Sequence, residues 1–392
     1  MNTDFFPVFV IGVARAGTTL AARILASSSS AGTALIDSQE AAFKAMRVEL
    51  GKKIGFAISY QDPLWDGYFS EHRRAFFDKL HEVDINSIDI SLHMEQVASD
   101  VFEASKQFSP MTVFPDFLLK ENSVFGVTNK VISRHASKEK PMVVFKDNYI
   151  IEFAFSLKRV FPKAKFIFPY RDPRAVVASR IAGAEKNGAS PDIHLLSRLR
   201  SWRSHLAWSF AFLADFPNDA LMIPYEGMVQ SPDDWIKRMC AFLNIPVEQQ
   251  MFGEAGFQSA TTNKVWQNNS SFEDAKSGIF TSSLEKWRKV LPPEMVKAIE
   301  YLCFHEMRLM GYQTETIDMI LGEYEDVCDF LKANTLQTAA SAWRYDTHGA
   351  KEEFACEQRR HAIIASGIAT KEEVRLALLT EAMALQFNIH SS

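Results

Sequence analysis

The chain has 392 residues, 47% hydrophobic and 23% charged, enough to bury one large domain core with an appendage. A formal charge of -5 and a pI near 6.1 argue against a nucleic-acid partner, because that class shows a basic excess. The acidity is uneven: residues 313–392 hold 7 Lys and Arg against 13 Asp and Glu, a balance of -6, which leaves about +1 for residues 1–312.

The N-terminal MNTDFFPVFVIG lacks the basic start of a signal peptide. No apolar run reaches the ~18 residues that a membrane helix needs. Cys240, Cys303, Cys328 and Cys356 form no CxxC pair and have no ligand spacing with the histidines. These features predict buried free thiols, a cytoplasmic setting and no membrane partner.

In chain order, the first informative stretch is Val8 to Leu25, VFVIGVARAGTTLAARIL. It reads as a strand, a glycine-bracketed turn and a helix N-terminus of the kind that cradles phosphate. Gly12 and Gly17 enclose four residues as in the Walker A pattern, but Thr18 and Thr19 follow where that pattern needs Lys and then Ser or Thr. The nearby cation is Arg15, inside the loop, which suits phosphate held without a metal. Ser27 to Ser30 then read as a turn, and a polar segment brings Asp37 and Glu40 back toward the carboxyl end of the first strand.

Residues 41–140 have helical rather than alternating periodicity and read as an inserted helical lid. A strand MVVFKD follows and ends at Lys146 and Asp147. A helix over about Tyr149 to Val160 leads into the strand KFIFPY and then RDPRAVVASR. Asp172 is suited to cap the next helix and Pro173 to its first position, so Arg171 lies in the turn and points into the crevice. Ser179, on that helix, is placed to share an anion with Arg171. From Lys158 to Arg180 there are seven basic residues and one acidic one.

Residues 192–216 read as a long helix, ALMIPYE as a strand ending in Tyr225 and Glu226, and Asp233 to Leu243 as a helix behind it. Polar residues 253–283 predict a loop across the site. KWRKVL and the helix to Gly311–Tyr312 close the domain. In the tail, residues 316–331 space apolar groups helically, and Thr370 with Glu373 makes a capping box before a helix to about Phe387. Such helices need partners: an extra layer on the core, or a homodimer contact.

Two separated motifs now share one chemistry, and the chain resembles the sulfotransferases that use phosphoadenosine phosphosulfate (PAPS), especially the branch of tyrosylprotein sulfotransferases and bacterial homologues. RAGTT (15–19) is similar to the family's 5′-phosphosulfate loop, and RDPRAVVAS (171–179) to its 3′-phosphate site. The resemblance implies an α/β P-loop-like three-layer fold over residues 1–312, with a central parallel sheet, the helical insertion at 41–140 and a C-terminal helical extension at 313–392. It implies cofactor binding by Arg15, Ala16, Gly17, Thr18, Thr19, Arg171, Ser179, Tyr225, Ser271 and Lys286, and no metal. Catalysis would fall to Arg15, Lys146 and a carboxylate base, Glu40 first and Asp37 second, with His72 or His93 next in line. PAPS would be the cofactor and PAP its product.

The chain departs from the family's pattern in having Ala14 before the loop's arginine and serines where a His-Pro pair is common. Gly183 stands where some relatives have a second arginine. The reading is sulfuryl transfer to a hydroxyl or amine, with a small metabolite as acceptor. The alternatives are a P-loop kinase or NTPase, which magnesium dependence would reveal, and a non-catalytic nucleotide-binding scaffold protein.

Overall fold

The computed structural model describes residues 5–36, 39–55, 58–60, 83–108, 114–148, 150–186, 188, 195–253, 257, 278–315 and 350–391. Asp37, His72, Ser271, Cys328 and the helix expected over 316–331 lie outside these residues. The strands of the main sheet are β1 Phe6–Gly12, β2 Ala31–Ile36, β3 Met142–Asn148, β4 Lys165–Tyr170 and β5 Ala220–Pro224. The described helices, in chain order, are α1 Thr18–Ala26, α2 Glu40–Ile54, α3 Met94–Phe108, α4 Val124–His135, α5 Ala154–Val160, α6 Pro173–Lys186, α7 Leu195–Asp215, α8 Tyr225–Gln230, α9 Pro232–Leu243, α10 Trp287–Val290, α11 Pro293–Leu309, α12 Ala350–Ser366, α13 Lys371–Ala377 and α14 Glu381–Gln386.

The five strands run in the order β2-β3-β1-β4-β5, every neighbouring pair parallel. Both faces of β1 are covered, which is why it reads as an unbroken apolar run. Val8 and Val10 pack with Ala21, Ile24 and Leu25 of α1 and with Ile236 and Met239 of α9. Phe9 and Ile11 face the other way, into a cluster with Phe43 of α2, Val97 of α3 and Val127 of α4. The described helices of residues 41–140 therefore form one of the three layers of the fold, and the expectation of a lid does not describe them.

β1 stays in register with β3 as far as Gly12 and Asn148, but with β4 only from Val8 to Val10. Beyond Val10 the strands β1 and β4 part. The connection leaving β1 runs toward the β2 edge and that leaving β4 toward the β5 edge, so the carboxyl ends of β1, β3 and β4 border a crevice at the topological switch point.

β2 corrects the sequence reading, which took residues 31–36 as a polar segment. This strand, AGTALI, lies at the sheet edge. Its Gly32 is required by the close approach of α4, since a Cβ there would lie 2.2 Å from the carbonyl oxygen of His135. β5 also ends two residues earlier than expected, so Tyr225 and Glu226 open α8. Cys240 and Cys303 are buried free thiols as expected, whereas Cys356 is exposed.

The described extension packs on the core. Ile363, Val374, Leu378 and Met383 cluster around Ala207 of α7, and Thr380 Oγ1 donates to the Ala207 carbonyl at 3.1 Å. The capping box of Thr370 and Glu373 forms as predicted. The helix it starts is broken, however, because Leu379 adopts a left-handed φ of 75°, and Thr380 caps a second helix, α14.

Burial of imidazoles makes this packing pH-sensitive. His361 is fully buried with no hydrogen-bond partner on either ring nitrogen, its ring 5.0 Å from that of His305. Burial, with Arg360 beside it, pushes His361 down to about 2, and burial pushes His205 down to about 4. Depressed histidines stabilise the fold above their unfolded value and lose that contribution as pH falls below it. Between pH 7 and 5 each costs about 2 kcal/mol.

Glu152 has the opposite sign: burial pushes it up to about 7, so it favours the fold by about 2 kcal/mol as pH drops over the same range. Burial also pushes the neighbouring His305 down, to about 3, so the depressed histidines outweigh Glu152 and a net loss of stability is expected in urea unfolding at pH 5 relative to pH 7. Equal stability at the two values would contradict the neutral burial of these imidazoles.

Candidate functional site

The loop from Val13 to Gly17 crosses the mouth of the crevice. Its Ala16 amide donates to the Val13 carbonyl at 3.1 Å, and both Arg15 (φ 78°) and Gly17 (φ 94°) are left-handed. A non-glycine residue held there stores strain of the kind found at ligand-binding turns. Gly17 is the N-cap of α1 and supplies no side-chain cap, so the first-turn amides of α1 are available to an anion. A Cβ on Gly17 would lie 2.6 Å from the Tyr225 ring. The glycine is thus fixed by conformation and by contact.

Asp172 caps α6 as predicted, accepting from the Arg174 amide at 2.8 Å. Arg174 in turn pairs with Asp172 at 2.6 Å and with Glu300 at 2.7 Å, and stacks on Trp287 at 4.2 Å. That holds the β4–α6 turn rigid, with Arg171 in it. Arg171 is only 4% exposed. Its guanidinium donates to the Arg15 carbonyl at 3.2 Å and the Ser283 carbonyl at 2.9 Å, and lies 4.1 Å from the centre of the Tyr225 ring. Its Nε is buried with no hydrogen-bond partner. A buried cation with an unspent donor, beside an uncapped helix N-terminus, is the arrangement that a phosphate group completes.

Arg15 Nε donates to Ser179 Oγ at 2.9 Å. The two loops singled out in the sequence, 156 residues apart at Arg15 and Arg171, are thus one site. Tyr225 joins them, its hydroxyl 2.6 Å from Ser283 Oγ. Lys286, half-buried, begins the α10 turn three residues beyond Ser283.

On the opposite wall, Lys146 is buried near the end of β3 beside Val10 of β1. Thr18 Oγ1 lies 3.4 Å from Asn148 Oδ1, tying β3 to α1. Asp147, next to Lys146, accepts from the Gln39 amide at 2.7 Å and the Glu40 amide at 3.0 Å. Its carboxylate therefore caps α2 and favours the helix dipole. Glu40 is accordingly brought to the strand end that carries Lys146, while its own carboxylate pairs with Lys44 at 3.0 Å.

Sequence reasoning missed Asp147 as the cap of α2, Ser283 as the link between Arg171 and Tyr225, and Trp202, whose indole donates to the Arg171 carbonyl at 2.9 Å. Asp147 was legible as a strand-end carboxylate. Nothing local marks the other two.

A family model described as Sulfotransferase family matches residues 7–249. The putative protein-tyrosine sulfotransferase of Caenorhabditis elegans is 26% identical over 196 residues, which cover 50% of this chain and 74% of that protein. Protein-tyrosine sulfotransferase 1 of Danio rerio is 26% identical over 153 residues, 38% of this chain and 42% of that protein. Among solved structures, the sulfotransferase domain from the curacin biosynthetic pathway aligns with a TM-score of 0.46 at 17% identity, over 79% of this chain and 99% of that one.

Proposed function

The chain belongs to the sulfotransferase family, and from that premise we propose that it transfers the sulfuryl group of PAPS to a hydroxyl or amine of a small-molecule acceptor. The observation that carries the reading is the buried Arg171 with its unspent Nε, joined through the Arg15 carbonyl to the uncapped start of α1. Arg171 and Ser179 suit the 3′-phosphate. The amides of Gly17, Thr18 and Thr19 suit the 5′-phosphate and sulfate oxygens.

PAPS supplies a sulfuryl group on a phosphate leaving group, displaced in line much as in phosphoryl transfer. Arg15 and Lys146 are the cations at the crevice that can offset charge growing on the leaving oxygen. With Arg171 they form a cationic set that needs no metal to hold the anion, which makes metal independence part of the reading. A carboxylate near the start of α2 takes the acceptor's proton. The cytoplasmic setting belongs to the same reading and is supported by the free thiols of Cys240 and Cys303.

A second reading, a protein tyrosine as acceptor, is favoured by the names of the relatives from Caenorhabditis elegans and Danio rerio. Labelled PAPS offered with small phenols, alcohols and amines, and separately with tyrosine peptides, each with and without EDTA, tests both. Transfer to small acceptors that survives EDTA supports the first reading, and transfer to peptides alone supports the second. PAP binding with no transfer to any acceptor points to a nucleotide-binding scaffold, and absence of PAP binding overturns the proposal.

A further inference from the structure

Glu357 of α12 stands well beyond the residues that the family model matches, yet it is only 3% exposed on its side chain and fully engaged with the core domain. Its carboxylate accepts from Arg200 Nε at 2.6 Å and from Arg203 Nη1 and Nη2 at 2.6 and 3.0 Å. Arg203 Nη1 also donates to the Leu302 carbonyl at 2.6 Å, which brings α11 into the same knot. A second buried pair, Arg360 with Glu306, joins α12 to α11.

Arg200 and Arg203 are three residues apart on α7 and so lie on one face of a single turn. Both guanidiniums are buried, and without a carboxylate between them two adjacent buried cations would repel in a medium of low dielectric. The residue between them that matters is Trp202. It projects away from that face and donates its indole N–H to the Arg171 carbonyl. The turn gripped by Glu357 is therefore the turn that holds the backbone of Arg171.

We propose that α12 is a positioning element of the nucleotide site, Glu357 fixing the Arg200–Arg203 turn of α7 so that Trp202 holds Arg171 in place for the 3′-phosphate. Glu357 and Trp202 are positioning residues and touch no substrate. The proposal rests on the reading of Arg171 as a phosphate ligand. Because such coupling is reciprocal, whatever affinity α12 adds to nucleotide binding, the bound nucleotide returns as stability of docked α12.

The test compares full-length wild type with Glu357→Gln, Trp202→Phe and the double variant, using calorimetry with PAP, thermal melting and steady-state kinetics. Each single change is expected to weaken PAP binding about tenfold and to raise KM for PAPS while leaving KM for the acceptor unchanged. The double variant should lose no more than the worse single one, as coupled residues do. A Glu357→Gln variant that melts earlier but binds PAP like wild type would show a purely structural salt bridge and overturn the proposal. If that variant fails to fold, hydrogen exchange on wild type decides: PAP should slow exchange of the amides of residues 355–366, and no change there overturns the coupling. Wild type that does not bind PAP at all removes the nucleotide reading itself, and the coupling with it.

Discussion

Glu40→Gln is expected to lower kcat by roughly 10²- to 10⁴-fold, the contribution of a positioned general base, while PAP binding stays as in wild type. Glu40 opens α2, and its amide is held by Asp147, so the start of this helix is anchored to the strand that carries Lys146. Its carboxylate is partly exposed and pairs with Lys44 four residues on. It also lies close enough to Tyr60 for its charge to add to the burial and the Asp100 charge that raise the phenol above its ordinary value. The side chain is thus partly exposed rather than locked in the core. Glutamine keeps the shape and one acceptor oxygen, but it removes the charge, the ion pair with Lys44 and the capacity to accept a proton.

The measurement is single-turnover and steady-state transfer at saturating acceptor, beside PAP calorimetry. Asp37→Asn, in the segment that joins β2 to α2, should do much less. A wild-type rate in Glu40→Gln moves the base to Asp37 or to a histidine. His93 is the weaker of these, because its Nε2 is already 2.6 Å from Glu49.

Arg171→Ala should weaken PAP binding by roughly 1.5 to 3 kcal/mol, the scale for losing hydrogen bonds to a charged group, or about ten- to a hundredfold and more in Kd. The effect is expected to be large because the guanidinium is preorganised: two main-chain carbonyls and the Tyr225 ring fix it before any ligand arrives. Little side-chain entropy remains to be lost on binding. Its removal also frees the Arg15 carbonyl and the Ser283 carbonyl, so the change is felt in both segments that it ties together. Unchanged PAP affinity by calorimetry would sink the assignment of the 3′-phosphate site.

The candidate site was legible in the sequence wherever short-range chemistry specifies it. The run Val8–Gly12, the glycine at 17 and the periodic α1 are set by strand packing, a left-handed turn and helix periodicity, all within one short segment. Asp172 capping the Arg174 amide is likewise a contact two residues long. From such segments the parallel sheet and the pairing of the two phosphate-facing loops could be expected, because βα turns in an open sheet all face the same edge.

What the tertiary structure alone decided are contacts between distant residues. β2 depends on α4 approaching Gly32, the cap of α2 comes from Asp147 about a hundred residues downstream, and Ser283 closes on Arg171 from 112 residues away. The sharpest case is charge. In sequence, nothing marks Arg200, Arg203 and Glu357 as partners. Their meeting in the core, across 154 residues between Arg203 and Glu357, makes them an ionic knot instead. Local periodicity determines which elements form, but the worth of a charge depends on the water it loses, and that is known only once the chain has folded around it.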